Sequence, residues 1–160
     1  MIVHKAYYGS PVSKAQNNEP PISEYFTTYM QMNPGTGYLT FEVYYDSPVR
    51  GRIPVPNARI TVSKLLGDDY FIAKVVTSDT SGETDPLPLP AVSRDVSQQP
   101  GEGRTFTSYH VSVEAPGYIR KDLFDVQIFD GITSIQRVPM EPSESGGGST
   151  QAGSTRVSMA

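Results

Sequence analysis

Three consecutive segments between residues 52 and 118 constrain the chain more than anything else in it. They are "RIPVPNARITVS", "AKVVTSDTSGET" and "YHVSVEAPGY": the first and third alternate apolar with polar residues, and the second and third end in turn chemistry. A period of two sends successive side chains to opposite faces of a sheet, so the first and third read as strands with one covered face, and the second as a strand whose register its sequence leaves open. In the first, Ala58, Ile60 and Val62 are expected inward, with Arg59, Thr61 and Ser63 outward. In the third, Tyr109, Val111 and Val113 are expected inward.

The same pattern extends on both sides. In "YLTFEVYY", Leu39, Phe41, Val43 and Tyr45 share one face, and Tyr38 and Tyr44 are expected exposed on the other. Further strands are read over residues 70–77, over 123–129 with Phe124, Val126 and Ile128 inward, and over 133–140 after an Asp-Gly turn. Ten Tyr, six Phe, fourteen Gly and fourteen Pro suit pleated surfaces broken by frequent turns. The chain of 160 residues holds one all-β domain with tails.

The domain is expected over residues 38–142, preceded by an extension over 1–37 and followed by a Gly/Ser-rich tether and short peptide over 143–160. Within the extension, "ISEYFTTYMQM" could line one face of a short helix. Its threonines and aromatics favour an extended segment instead. From residue 83 to 103, "ETDPLPLPAVSRDVSQQPGEG" has no period and is rich in proline. It is read as a long surface loop with at most a short edge segment over 84–89, offering Leu87, Leu89, Val92 and Val96 as contact residues. The tether predicts a coil of about 20 Å reach leading to "TRVSMA".

Several function classes are disfavoured. The net charge of −4 without a basic cluster argues against nucleic-acid partners. No cysteine is available for disulfides or thiolate metal sites. No segment has the roughly 18 apolar residues of a membrane span, and residues 1–8 lack the apolar run of a secretion signal. Only His4 and His110 are present, neither beside an acidic partner in sequence, and no serine sits in a nucleophile motif. The carboxylates of "GDDY" and "SDTSGETD" lack the spacing of a calcium loop and read as turn residues. No catalytic residue, cofactor or metal is expected.

"VPNARITVS", "VTSDTSGET" and "YHVSVEAPGY" resemble the second strand, the turn and the later strand of carboxypeptidase regulatory-like, transthyretin-like modules. The likeness covers about residues 38–142. "LPLPAVS" and "GITSIQRVPMEP" resemble more particularly the version at the N-terminus of clostridial spore cortex-lytic enzymes and their stand-alone relatives. The resemblance implies a seven-stranded Greek-key sandwich and a spore or cell-surface setting. It does not imply lytic activity, since only the module is matched. Glu114 resembles the Glu that promotes a Lys–Asn isopeptide bond in related sandwiches, but "YLTFEVYY" has no Lys and "TSIQRVPM" no Asn or Asp, so no such bond is expected.

The leading expectation is a non-enzymatic structural subunit that self-assembles through its terminal segments into a fibre or surface layer. Tyr7, Tyr8, Ile22, Tyr25, Phe26, Tyr29, Met30, Val157 and Met159 are the candidate interface, because aromatic area without its own core must find a surface to cover it. The alternative is an accessory module that binds peptidoglycan or partners a cell-wall hydrolase through the loop after residue 86 and the exposed tyrosines.

Overall fold

A computed structural model describes residues 20–97 and 106–144. Tyr7, Tyr8, Val157 and Met159 lie outside the described residues. The architecture is all-β, with two sheets packed face to face.

The first sheet is organised by one long strand, β1 (Gly35–Ser47). Strand β2 (Gly51–Pro54) pairs antiparallel with its C-terminal part, and β5 (Leu87–Ala91) pairs antiparallel with its N-terminal part. Along the other edge of β1 runs β9 (Thr133–Pro139), in parallel register from Tyr38↔Thr133 to Tyr44↔Pro139. The second sheet has the order β4 (Asp69–Thr77), β3 (Arg59–Leu66), β6 (Thr107–Glu114), β8 (Lys121–Ile128), all antiparallel. A small pair, β7 (Tyr118–Ile119) with β10 (Glu141–Pro142), closes one end. The described residues thus carry ten strands where seven were expected.

The core lies between the inner faces. Leu39, Phe41 and Val43 of β1 meet Ile60 and Val62 of β3 and Tyr109, Val111 and Val113 of β6, all essentially inaccessible to water. This is the register that the alternation predicts. At about 25 cal/mol per Å² of apolar area buried, such side chains dominate the stability of the sandwich.

Four expectations are corrected. Phe124 is 67% exposed. Asp125 adopts a left-handed conformation, φ 59°, and the β6–β8 register shifts between Tyr109 and Val111, so two residues of β8 oppose one of β6. This bulge throws Phe124 out and leaves Leu123 packed on the core beside Val126 and Ile128. Tyr44, expected exposed, is buried because the Arg52 guanidinium lies 3.9 Å from its ring centroid across the β1–β2 pairing.

The proline-rich segment supplies β5, and Leu87, Leu89 and Val92 are buried in the core rather than displayed on a loop. Proline is tolerated because Pro88 and Pro90 sit at positions whose main-chain groups turn away from β1. The Pro90 carbonyl accordingly accepts the Tyr109 hydroxyl. Val96, on the short helix α2 (Arg94–Ser97), remains 38% exposed.

Finally, residues read as extended form helix α1 (Ile22–Met32), directly after Pro21. Thr27 satisfies its hydroxyl by donating to the Ser23 carbonyl four residues back, 2.9 Å away. β-Branched and aromatic residues each cost a helix only about 0.5 kcal/mol. Burying the Tyr29 ring, roughly 150 Å², returns about 4 kcal/mol, so packing overrides propensity.

Candidate assembly surfaces

Helix α1 has two unlike faces, set by its sequence. Ile22, Tyr25 and Tyr29, spaced three and four apart, pack on the core. Phe26 and Met30, also four apart, remain 37% and 43% exposed. Phe26 contacts the Phe71 ring with centroids 5.0 Å apart, so this outer face is continuous with β4. The extension therefore folds over its own domain through Tyr29, and a boundary at residue 37/38 falls inside β1, whose residues 35–37 pair with β5.

Two hydrogen-bond chains fix the helix. In the first, the Tyr29 and Tyr109 hydroxyls lie 2.8 Å apart. Tyr109 donates to the Pro90 carbonyl, so the Tyr29 hydroxyl is the donor to Tyr109. Burial pushes both phenols above their usual pKa, and in Tyr109 the bonded Tyr29 adds to the rise. Both therefore stay neutral and serve as hydrogen-bonding groups.

In the second chain, buried Asn33 ends the helix. Its amide nitrogen donates to the Tyr29 carbonyl at 2.6 Å, and its amide oxygen accepts the Thr107 hydroxyl. The Thr107 oxygen in turn accepts the Val92 N–H at 2.9 Å. Asn33 thereby satisfies a helix-terminal carbonyl and ties α1 to β6 and to the end of β5. Sequence reasoning missed this network, whose members stand up to 74 residues apart. The only local signal was a polar residue between the apolar run and Pro34.

Beside the helix lies an open groove of about 580 Å³ whose walls include Tyr25, Met32, Lys64, Leu66 and Phe106. Lys64 reaches across to the Ser108 carbonyl at 2.9 Å.

On the outer face of the second sheet, His110 is mostly covered. Its ring lies between those of Phe124 and Tyr70, with centroids 4.8 and 5.3 Å away, and its Nε2 is 3.2 Å from Asp122 Oδ1. The sequence hid this partner, because the Asp125 bulge separates the register of Asp122 from that of Val126. Glu114 is exposed and paired with Arg120 at 3.4 Å. Among the described residues no three His, Asp or Glu side chains are grouped to hold a metal. No helix among them is long and apolar enough to cross a membrane.

No protein-family model matches the chain, and no curated protein matches it. Solved structures similar to it include the Bacillus anthracis TIE protein, with 16% identity over 68% of this chain and 17% of that one, at a TM-score of 0.43. The minor pilin GBS52 of Streptococcus agalactiae has 11% identity over 76% of this chain and 49% of that one, also at 0.43. The C-terminal domain of the shaft pilin SpaA of Lactobacillus rhamnosus GG has 18% identity over 68% of this chain and 98% of that one, at 0.37. This chain thus spans about a sixth of the first and half of the second.

Proposed function

We propose that the protein is a non-enzymatic structural subunit that self-assembles through its terminal segments into a fibre or layer. The observation that carries this reading is the two-faced helix at the head of the domain. Tyr29 and Asn33 hold α1 rigidly on the core, while Phe26 and Met30 stay on the surface, where the N-terminal segment joins the domain. An apolar surface mounted on a fixed element is suited to a repeated contact with a neighbouring copy, because little ordering entropy is lost on docking. Residues 1–19, with Tyr7 and Tyr8, would extend that contact, and residues 145–160, with Val157 and Met159, would make a second one with a neighbouring copy. The resemblance of "LPLPAVS" and "GITSIQRVPMEP" to the module of clostridial spore cortex-lytic enzymes favours a spore or cell-surface setting for the assembly.

The test is a full-length variant with Phe26→Ser and Met30→Ser. Tyr29 and Asn33 are untouched, so its melting curve should follow that of the parent while its particle size by light scattering falls. Unchanged assembly would remove α1 from the interface. A parent that stays monomeric at high concentration and binds purified peptidoglycan would replace the subunit reading with that of a wall-binding module.

A further inference from the structure

An exposed strand edge offers unpaired N–H and C=O groups to any incoming strand, and proteins commonly blunt such edges. Among the described residues, every edge strand of the two large sheets but one is blunted. Strand β5 carries Pro88 and Pro90, which lack donors, and the Pro90 carbonyl is already engaged by Tyr109. Strand β8 is bulged at Asp125, and β4 is bulged at Ala73, where its register with β3 slips. Strand β2 is four residues long and ends in Pro54.

Strand β9 has no proline and no bulge over residues 133–137, and its one engaged outward group is the Arg137 carbonyl, which accepts the exposed Gln136 side-chain amide at 3.1 Å. Among the described residues its only strand partner is β1, and their parallel register runs without a shift. The parity of its bonds is fixed at both ends, because the Ile132 carbonyl accepts the Tyr38 N–H and the Met140 N–H donates to the Tyr44 carbonyl. In a parallel pair alternate residues bond to the same neighbour, so the even-numbered residues of β9 face β1. The N–H and C=O groups of Thr133, Ile135 and Arg137 therefore point away from the sheet. Ile135 is 53% exposed on the outer face, and Arg137 is paired with Glu42 at 3.1 Å.

We propose that β9 pairs antiparallel with β9 of a second copy, with Ile135 on the twofold axis. The edge is self-complementary in that arrangement. Ile135 meets Ile135 of the other copy, Thr133 meets Arg137, and no like charges are opposed. The outward groups of the three residues would form about four main-chain hydrogen bonds across the axis, and about two more where the exposed Gln136 amide swings off the Arg137 carbonyl. The inference rests on the subunit reading only in taking a second copy as the partner, since it uses no terminal segment.

The chain has no cysteine, so full-length Ile135→Cys carries one thiol. Directly opposed residues of such a pair have Cα atoms about 5.5 Å apart, within disulfide reach. With oxidised glutathione accepting the two electrons, Ile135→Cys should give a covalent dimer on a denaturing gel. Val49→Cys, at an 88% exposed turn position, should not.

Two further variants read the same edge. Ile135→Lys should weaken dimerisation by about tenfold or more in sedimentation, through like charges on the axis. Ile135→Pro removes one outward N–H without breaking a bond to β1 and should dimerise weakly with its circular dichroism intact. Cross-linking of Ile135→Cys no greater than that of Val49→Cys, or dimerisation unchanged in Ile135→Lys, would overturn the proposal. In the Phe26→Ser, Met30→Ser background the Ile135→Cys cross-link should persist even where larger particles are lost, which separates this contact from the one at α1.

Discussion

Replacing Tyr109 by Phe should cost clearly more stability than replacing Tyr29 by Phe, although the two hydroxyls share one hydrogen bond. The asymmetry follows from the direction of the chain, in which Tyr29 donates to Tyr109 and Tyr109 donates to the Pro90 carbonyl. In Tyr29→Phe one bond is lost and the Tyr109 oxygen keeps its own donation, so the cost is that of a single net hydrogen bond, about 0.5–1.5 kcal/mol. In Tyr109→Phe the Pro90 carbonyl loses its donor and the Tyr29 hydroxyl loses its acceptor. At about 1–3 kcal/mol for each unsatisfied group, the sum is about 2–6 kcal/mol. The double variant should cost no more than Tyr109→Phe, because Tyr29 no longer has a stranded proton. Urea denaturation at pH 7 measures all three, with an unchanged slope showing that the comparison is of like transitions. Equal costs, or a larger cost for Tyr29→Phe, would refute the assigned direction.

Three other perturbations probe separate parts of the sandwich. The Asp130 carboxylate accepts the Arg94 and Thr36 N–H groups, which lower its pKa below the usual carboxylate value, so its contribution is present above about pH 4 and lost as pH falls through the lowered pKa. The acid limb of a stability–pH profile should accordingly be shallower in Asp130→Asn. Val111→Asp places a carboxylate in a fully buried site of β6 at a cost of several kcal/mol, and normal solubility and melting temperature would contradict the core assignment. Gly82→Ala should be far more damaging than Gly51→Ala in thermal melts. Both glycines have φ near 77°, 78° and 76° respectively, but a Cβ at Gly82 would lie 2.3 Å from the Val43 carbonyl oxygen, whereas at Gly51 nothing lies within 4 Å.

The inward residues of β3 and β6 were legible because nothing disturbs their period of two between residues 58 and 62 or 109 and 113. Phe124 was misplaced because a non-glycine residue, Asp125, takes the left-handed conformation and shifts the alternation by one. Strand β5 was hidden by its prolines, which are informative only once it is known that Pro88 and Pro90 turn their nitrogens away from β1. Helix α1 could not be read from propensity, since its stability comes from a socket built by Tyr109, Leu66 and other residues far along the chain. The candidate surface was legible in part. Composition singled out Tyr25, Phe26, Tyr29 and Met30, but only the fold divides them into residues that anchor the helix and residues that it displays. The parallel pairing of β9 with β1 left no local signal, and the open edge came into view only with the topology.

Self-assembly is read out by negative-stain electron microscopy of the purified full-length chain at increasing concentration. Regular fibres or sheets are expected, with a repeat matching one or two copies of the domain. A uniform field of single particles the size of one domain at every concentration would contradict it.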